Sequence, residues 1–143
     1  MQTGNRQLVE AFFKAIARGD LPDHLATPDM TFWSVNSGES DREQFHGGVE
    51  MLASIFDSTL IYLVSSLTSE DDRVVAEVRS QGTLGIGEAF HNTHVFLFRI
   101  RSGCIAAARE YMNQFVLRQK IVPPMQAAMD AQGGRGGREY PEA

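Results

Sequence analysis

Two polar side chains stand where the hydrophobic pattern leaves no obvious use for them. From Phe90 to Phe98 the chain alternates strictly, and Asn92 and His94 fall on the same side as Phe90, Phe96 and Phe98. If the phenylalanines face a core, Asn92 and His94 point into it. An unpartnered buried polar group costs roughly 1–3 kcal/mol. Either both are satisfied inside the core, or they line a small-molecule pocket in which a histidine can serve as acid or base.

The remaining reactive side chains lack a setting for chemistry. Ser34 has no strand-to-helix elbow around it, and Cys104, the only cysteine, sits by a turn with no activating base in its neighbourhood. The four histidines (His24, His46, His91 and His94) show no i, i+4 pairing, so neither a metal site nor a cofactor is expected. The Gly133–Gly137 run GGRGG lacks the strand-to-helix context of a phosphate loop and receives no chemistry.

The elements that must position these residues can be read in order. Leu8, Val9, Phe12, Phe13 and Ile16 recur at helical spacing up to Gly19-Asp20, and Asp20 with Pro22 can open a short second helix. A strand is expected over 30–36. Phe32 and Ser34 share one of its faces and Trp33 takes the other, and parity alone does not say which is inward. Residues 37–48 read as a polar loop or small hairpin anchored by Phe45. Val49, Leu52, Ala53, Phe56 and Leu60 form a third helix.

From Leu60 onward the texture is β-branched and alternating, with a turn at Glu70-Asp71-Asp72, a strand carrying Glu77 and Arg79, and bends at Gly82, Gly85 and Gly87. Arg101-Ser102-Gly103-Cys104 then turns the chain into a returning strand that ends near Phe115. Helices first and an antiparallel meander afterwards make an α+β fold, with helices covering one face of a curved sheet.

Composition sets the outer limits. A chain of 143 residues suits one domain with a core that needs no staples. With 13 basic against 18 acidic residues and a net charge of -5, nucleic acid is not an expected partner. The lone thiol fits a reducing cytoplasm, and no apolar run approaches the roughly 20 residues that span a bilayer, so no membrane partner is expected.

The motifs Arg18-Gly19-Asp20-Leu21, the Trp33 strand, the valine strand with Glu77, Phe90-x-Asn92-x-His94 and Gly103-Cys104-Ile105 before Arg109-Glu110-Tyr111-Met112-Asn113 occur in a characteristic order. In that order the chain resembles the SnoaL-like and ketosteroid-isomerase-like branch of the nuclear-transport-factor-2-like superfamily. The resemblance implies a cone-shaped, cystatin-like α+β fold over residues 1–122; in residues 123–143 the sequence itself reads as a short helix beyond Pro123-Pro124 and then a tail. It also implies a pocket between helices and sheet, and a homodimer through the sheet's outer face.

The functional residues of relatives transfer unevenly. Ketosteroid isomerases place an oxyanion tyrosine at Phe12, a base at Ser34 and a second acid at His94 or Val95, so their mechanism does not carry over to residues 12 and 34. Limonene-epoxide hydrolases place a carboxylate at Glu110 and an arginine-carboxylate pair near Glu77 and Arg79. Polyketide cyclases place an aspartate near Asn113, which cannot handle that proton at neutral pH. The resemblance therefore implies Glu110, His94, Glu77 and Arg79 as candidate catalytic residues, with an arginine keeping one carboxylate ionised beside a protonated one; a structural ion network is the alternative. Phe12, Trp33, Ser34, Phe56, Phe90, Asn92, Tyr111 and Asn113 are the expected pocket. The function implied is a cofactor-independent isomerase, hydrolase, cyclase or dehydratase acting on a hydrophobic oxygenated molecule, or a non-catalytic ligand-binding or assembly module of the same fold.

Overall fold

The computed structural model describes residues 3–132; the GGRGG tail lies outside them. Helix α1 (Thr3–Ala17) ends where Gly19 adopts a φ of 81°, with Asp20 N bonded to Ala15 O and Gly19 N to Ile16 O. This is the paired-carbonyl stop that a left-handed glycine permits. A single 3₁₀ turn (Asp23–Leu25) stands where a short helix was expected, and strand β1 (Ala26–Ser34) follows, paired with the short β2 (Gly38–Asp41).

Helix α2 (Arg42–Ser54) begins well before the expected third helix and ends before Phe56. The reason is a reciprocal cap: Gln44 N donates to Asp41 Oδ1 at 2.8 Å, and Asp41 N donates to Gln44 Oε1 at 2.9 Å. Polar Arg42–Gly48 is thus helical, and only Phe45 and Val49 of α2 are buried.

Four long strands complete the sheet: β3 (Ile61–Glu70), β4 (Arg73–Thr83), β5 (Ala89–Arg101) and β6 (Cys104–Met112), in the spatial order β2-β1-β6-β5-β4-β3. All neighbours are antiparallel except β1 and β6, so the six-stranded sheet is mixed. The β5–β6 hairpin turns on Ser102 and Gly103 with φ of 54° and 75°, the two left-handed residues a tight hairpin needs.

The β5 alternation persists in space. Phe90, Asn92, Phe96 and Phe98 are buried while His91, Thr93, Val95, Leu97 and Arg99 are exposed. Phe12 and Phe13 of α1 pack against Phe96 and Phe98 with ring centroids 4.9–6.5 Å apart, giving a solid aromatic core at one end of the sheet.

At the other end the chain leaves β6 into a wound segment: α3 (Gln114–Val116), a π-helical stretch (Leu117–Ile121) and α4 (Val122–Ala131). Ile121 and Met125 pack with Phe56, Leu60, Leu84 and Phe90 in a second apolar cluster, and Lys120 pairs with Glu88 just before β5. Residues on both sides of position 122 therefore cover the same end of the sheet. No described helix is long and apolar enough to cross a membrane.

Candidate active site

Between the concave sheet face, α2 and the C-terminal helical segment lies a cavity of about 740 Å³. Its walls are largely apolar, with Phe32, Phe45, Phe56, Leu60, Phe90, Phe96, Ile121 and Met125 among them. Its polar groups come mainly from adjacent strands: Ser34 of β1, Tyr62 of β3, Ser80 of β4, Asn92 and His94 of β5, and Glu110 of β6.

Three of these form a continuous chain. His94 Nδ1 lies 2.7 Å from Glu110 Oε2, and His94 Nε2 lies 2.7 Å from Ser80 Oγ. The His94 and Glu110 side chains are 7% and 16% exposed, so the pair is largely withdrawn from water while the carboxylate keeps some access. A carboxylate can only accept; when Glu110 is ionised, His94 donates from Nδ1, and its Nε2 accepts the Ser80 hydroxyl proton. Pairing of this kind orients the imidazole and fixes its tautomer.

The other polar groups are engaged in holding backbone. Ser34 Oγ accepts from Asn36 N and Ser37 N at 3.2 and 3.0 Å, and it shares a 2.9 Å bond with Ser37 Oγ, so it shapes the β1–β2 turn. Asn92 Oδ1 accepts from Thr93 N, and its Nδ2 donates to Asn113 O at 3.4 Å. The Asn113 side chain caps α3 by accepting from Phe115 N and Val116 N. Tyr62 lines the cavity, and its hydroxyl has no hydrogen-bond partner among the described residues. Burial first, and the nearby Glu110 charge second, push its ionisation far above that of a free tyrosine.

The structure brings together Glu110, His94, Asn92, Ser34, Phe56 and Phe90 around this cavity, and it does not bring the other six candidates there. Glu77 and Arg79 are exposed on the opposite face, because their parity in β4 is that of Val75, while Val74, Ala76, Val78 and Ser80 point inward. Neither forms an ion pair among the described residues. Trp33 and Tyr111 also occupy the outer face, with ring centroids 5.3 Å apart and the Arg109 guanidinium 4.2 Å from the Trp33 ring. Phe12 is fully buried in the aromatic core, and Asn113 lines a separate groove with Glu77, Arg79 and Tyr111 while its side chain caps α3.

Sequence reasoning passed over Ser80 and Tyr62. A signal for Ser80 was present: it continues the Val74, Ala76, Val78 face by parity, a lone hydroxyl on an apolar stripe. Among the described residues no cluster of three His, Cys, Asp or Glu side chains is arranged to hold a metal ion.

A family model, the SnoaL-like domain, matches residues 9–108, and the chain belongs to that family. No curated protein matches it in sequence. Among solved structures, an NTF2-like protein from Anabaena variabilis is 27% identical, with a TM-score of 0.65 over 77% of this chain and 87% of that one. TsrD from Streptomyces laurentii is 22% identical, with a TM-score of 0.71 over 84% and 96%. IdmH from Streptomyces antibioticus, named as a candidate polyketide cyclase, is 19% identical with a TM-score of 0.70 over 80% and 95%. The last two show likeness of fold.

Proposed function

We propose that the protein is a cofactor-independent acid/base enzyme that takes a hydrophobic, oxygenated small molecule into the cavity and moves a proton on it with the Glu110–His94 pair. The observation that carries this reading is the 2.7 Å bond between His94 Nδ1 and Glu110 Oε2 on the wall of an otherwise apolar cavity. A desolvated carboxylate held by an imidazole is a competent base for a carbon-bound hydrogen beside a carbonyl. The C–H bond breaks, Glu110 takes the proton, and the electron pair moves to the carbonyl oxygen as an enolate. Isomerisation, aldol-type cyclisation and dehydration all share that first step. The fold likeness to IdmH supports a polyketide-like substrate among the possibilities. The protein is further proposed to work in the cytoplasm, as a homodimer joined through its outer sheet face.

The test is exchange of the α-hydrogens of 2-tetralone, an apolar bicyclic ketone of suitable size, followed by NMR in D₂O. Exchange above background that falls by about 100-fold or more in Glu110→Gln supports the reading. Binding of 2-tetralone with no enhanced exchange would leave a ligand-binding module instead.

A further inference from the structure

On the cavity wall formed by β3 to β6, both ring nitrogens of His94 are committed, one to Ser80 and one to Glu110, while Asn92 gives Oδ1 to Thr93 N and one Nδ2 hydrogen to Asn113 O and keeps one amide hydrogen. Ser34 holds the β1–β2 turn, and Asn36 beside it, whose Oδ1 is buried without a partner, lines the same cavity away from that wall's strands. Glu110 Oε1 is an acceptor left over. A donor is needed for the carbonyl oxygen that turns negative when Glu110 takes a proton, and His94 has no N–H to spare when Glu110 is ionised.

We propose that the Tyr62 hydroxyl is that donor: it binds the oxygen of a ketone or enol in the cavity while Glu110 handles the carbon-bound proton. This rests on the acid/base reading of Glu110. Tyr62 is directly opposite Ser80 in the β3·β4 register, and its ring meets the His94 ring at 5.9 Å and 60°. Tyr62, Ser80, His94 and Glu110 thus come from four successive strands, β3 to β6, and face one space. The Phe13 ring, 5.5 Å away, backs Tyr62 from the core side. Tyr62 packs against both apolar clusters, so the ring is held in place, while its hydroxyl is not among the occluded unpartnered atoms. Because burial and the Glu110 charge oppose its ionisation, it stays a neutral donor beside a carboxylate.

The ligand class follows from this pairing. A carboxylate acceptor and a phenolic donor at one wall of an apolar cavity fit a carbonyl with an acidic neighbouring C–H, carried on a hydrophobic ring system. The enol of such a molecule offers an O–H and an oxygen lone pair together. Both have a partner here.

The experiment uses Tyr62→Phe, which keeps the ring and removes the hydroxyl. Binding of 2-naphthol, a stable stand-in for the enol of 2-tetralone, should weaken by about tenfold, while binding of naphthalene should not change. Exchange of 2-tetralone should slow by about 100-fold through kcat with little change in KM, because the bond strengthens as charge develops on oxygen. Equal loss for 2-naphthol and naphthalene, or no loss for 2-naphthol, overturns the assignment. If Glu110→Gln abolishes exchange and Tyr62→Phe does not, the acid/base reading stands and Tyr62 is not the donor. If Glu110→Gln leaves exchange untouched, the acid/base reading itself has failed, and the naphthol pair still decides on Tyr62.

Discussion

Ser80 Oγ and His94 Nε2 lie 2.7 Å apart on neighbouring strands, and Ser80 is only 2% exposed. Truncating one partner strands the other in a place water does not easily reach, which costs about 1–3 kcal/mol. Ser80→Ala should therefore lower stability by that amount in urea denaturation. His94→Phe combined with Ser80→Ala should cost less than the sum of the two single changes, because neither polar group is then left alone. Simple additivity would mean that the bond contributes nothing to the folded state.

The raised ionisation of Tyr62 has a consequence for alkaline stability. In the unfolded chain a tyrosine loses its proton near pH 10, while in the fold it holds on through burial and the Glu110 charge. The folded value lies above the unfolded one, so the stability associated with this group is present below about pH 10 and is lost as pH rises beyond it. Tyr62→Phe removes that dependence. Its stability relative to the wild type should therefore improve steadily above pH 10. Parallel curves through that range would show that Tyr62 ionises as freely in the fold as outside it.

Gly82 marks a place where the apolar end of the cavity is built without tolerance. A Cβ there would stand 3.0 Å from Phe56 Cδ1 and 3.1–3.2 Å from the backbone of Leu60. The phenyl ring can give way, but the Leu60 backbone cannot do so cheaply. Gly82→Ala should destabilise by about 1–3 kcal/mol. It should also weaken ligand binding, since Phe56 and Leu60 both line the cavity. Thermal melts and naphthalene titration read the two effects separately.

These particulars show how far sequence pattern reaches. The β5 alternation placed Asn92 and His94 inward because parity is a local property, and the Ser102-Gly103 turn fixed which strand returns beside it. Glu77 and Arg79 went astray for a related reason. Their spacing matched a relative's active pair, but the face they take is decided by Val74, Ala76 and Val78 beside them. Helix α2 was read late because Arg42–Gly48 looks like a loop by composition, although Asp41-x-x-Gln44 is a capping signature. Tyr62 was hidden differently: the resemblance placed an oxyanion tyrosine at Phe12, and only the β3·β4 register, which sets Tyr62 opposite the inward Ser80, shows that a tyrosine lines the cavity from the far strand. The parallel pairing of β1 with β6, which seats Ser34 beside Glu110, has no local signal at all.

Leu97 leads to the last prediction. With Leu63, Val75, Val95 and Tyr111 it is at least a third exposed on the outer sheet face, and Trp33 and Arg109 stack beside it. In register, Val75, Leu97, Arg109 and Trp33 form one row across four strands. An exposed apolar row of this extent, bordered by charged side chains such as Glu77, Arg79 and Arg99, is what an isologous interface offers to a second copy of itself. Leu97→Lys puts a cation beside Arg109 on that row and two residues from Arg99 along β5, and at a two-fold interface it would meet its own symmetry-related neighbours. The wild type should sediment as a dimer at micromolar concentration and Leu97→Lys as a monomer, with far-UV circular dichroism unchanged because the site is exposed within one subunit. A wild type that sediments as a monomer would remove the dimer, and the apolar row would then need another occupant.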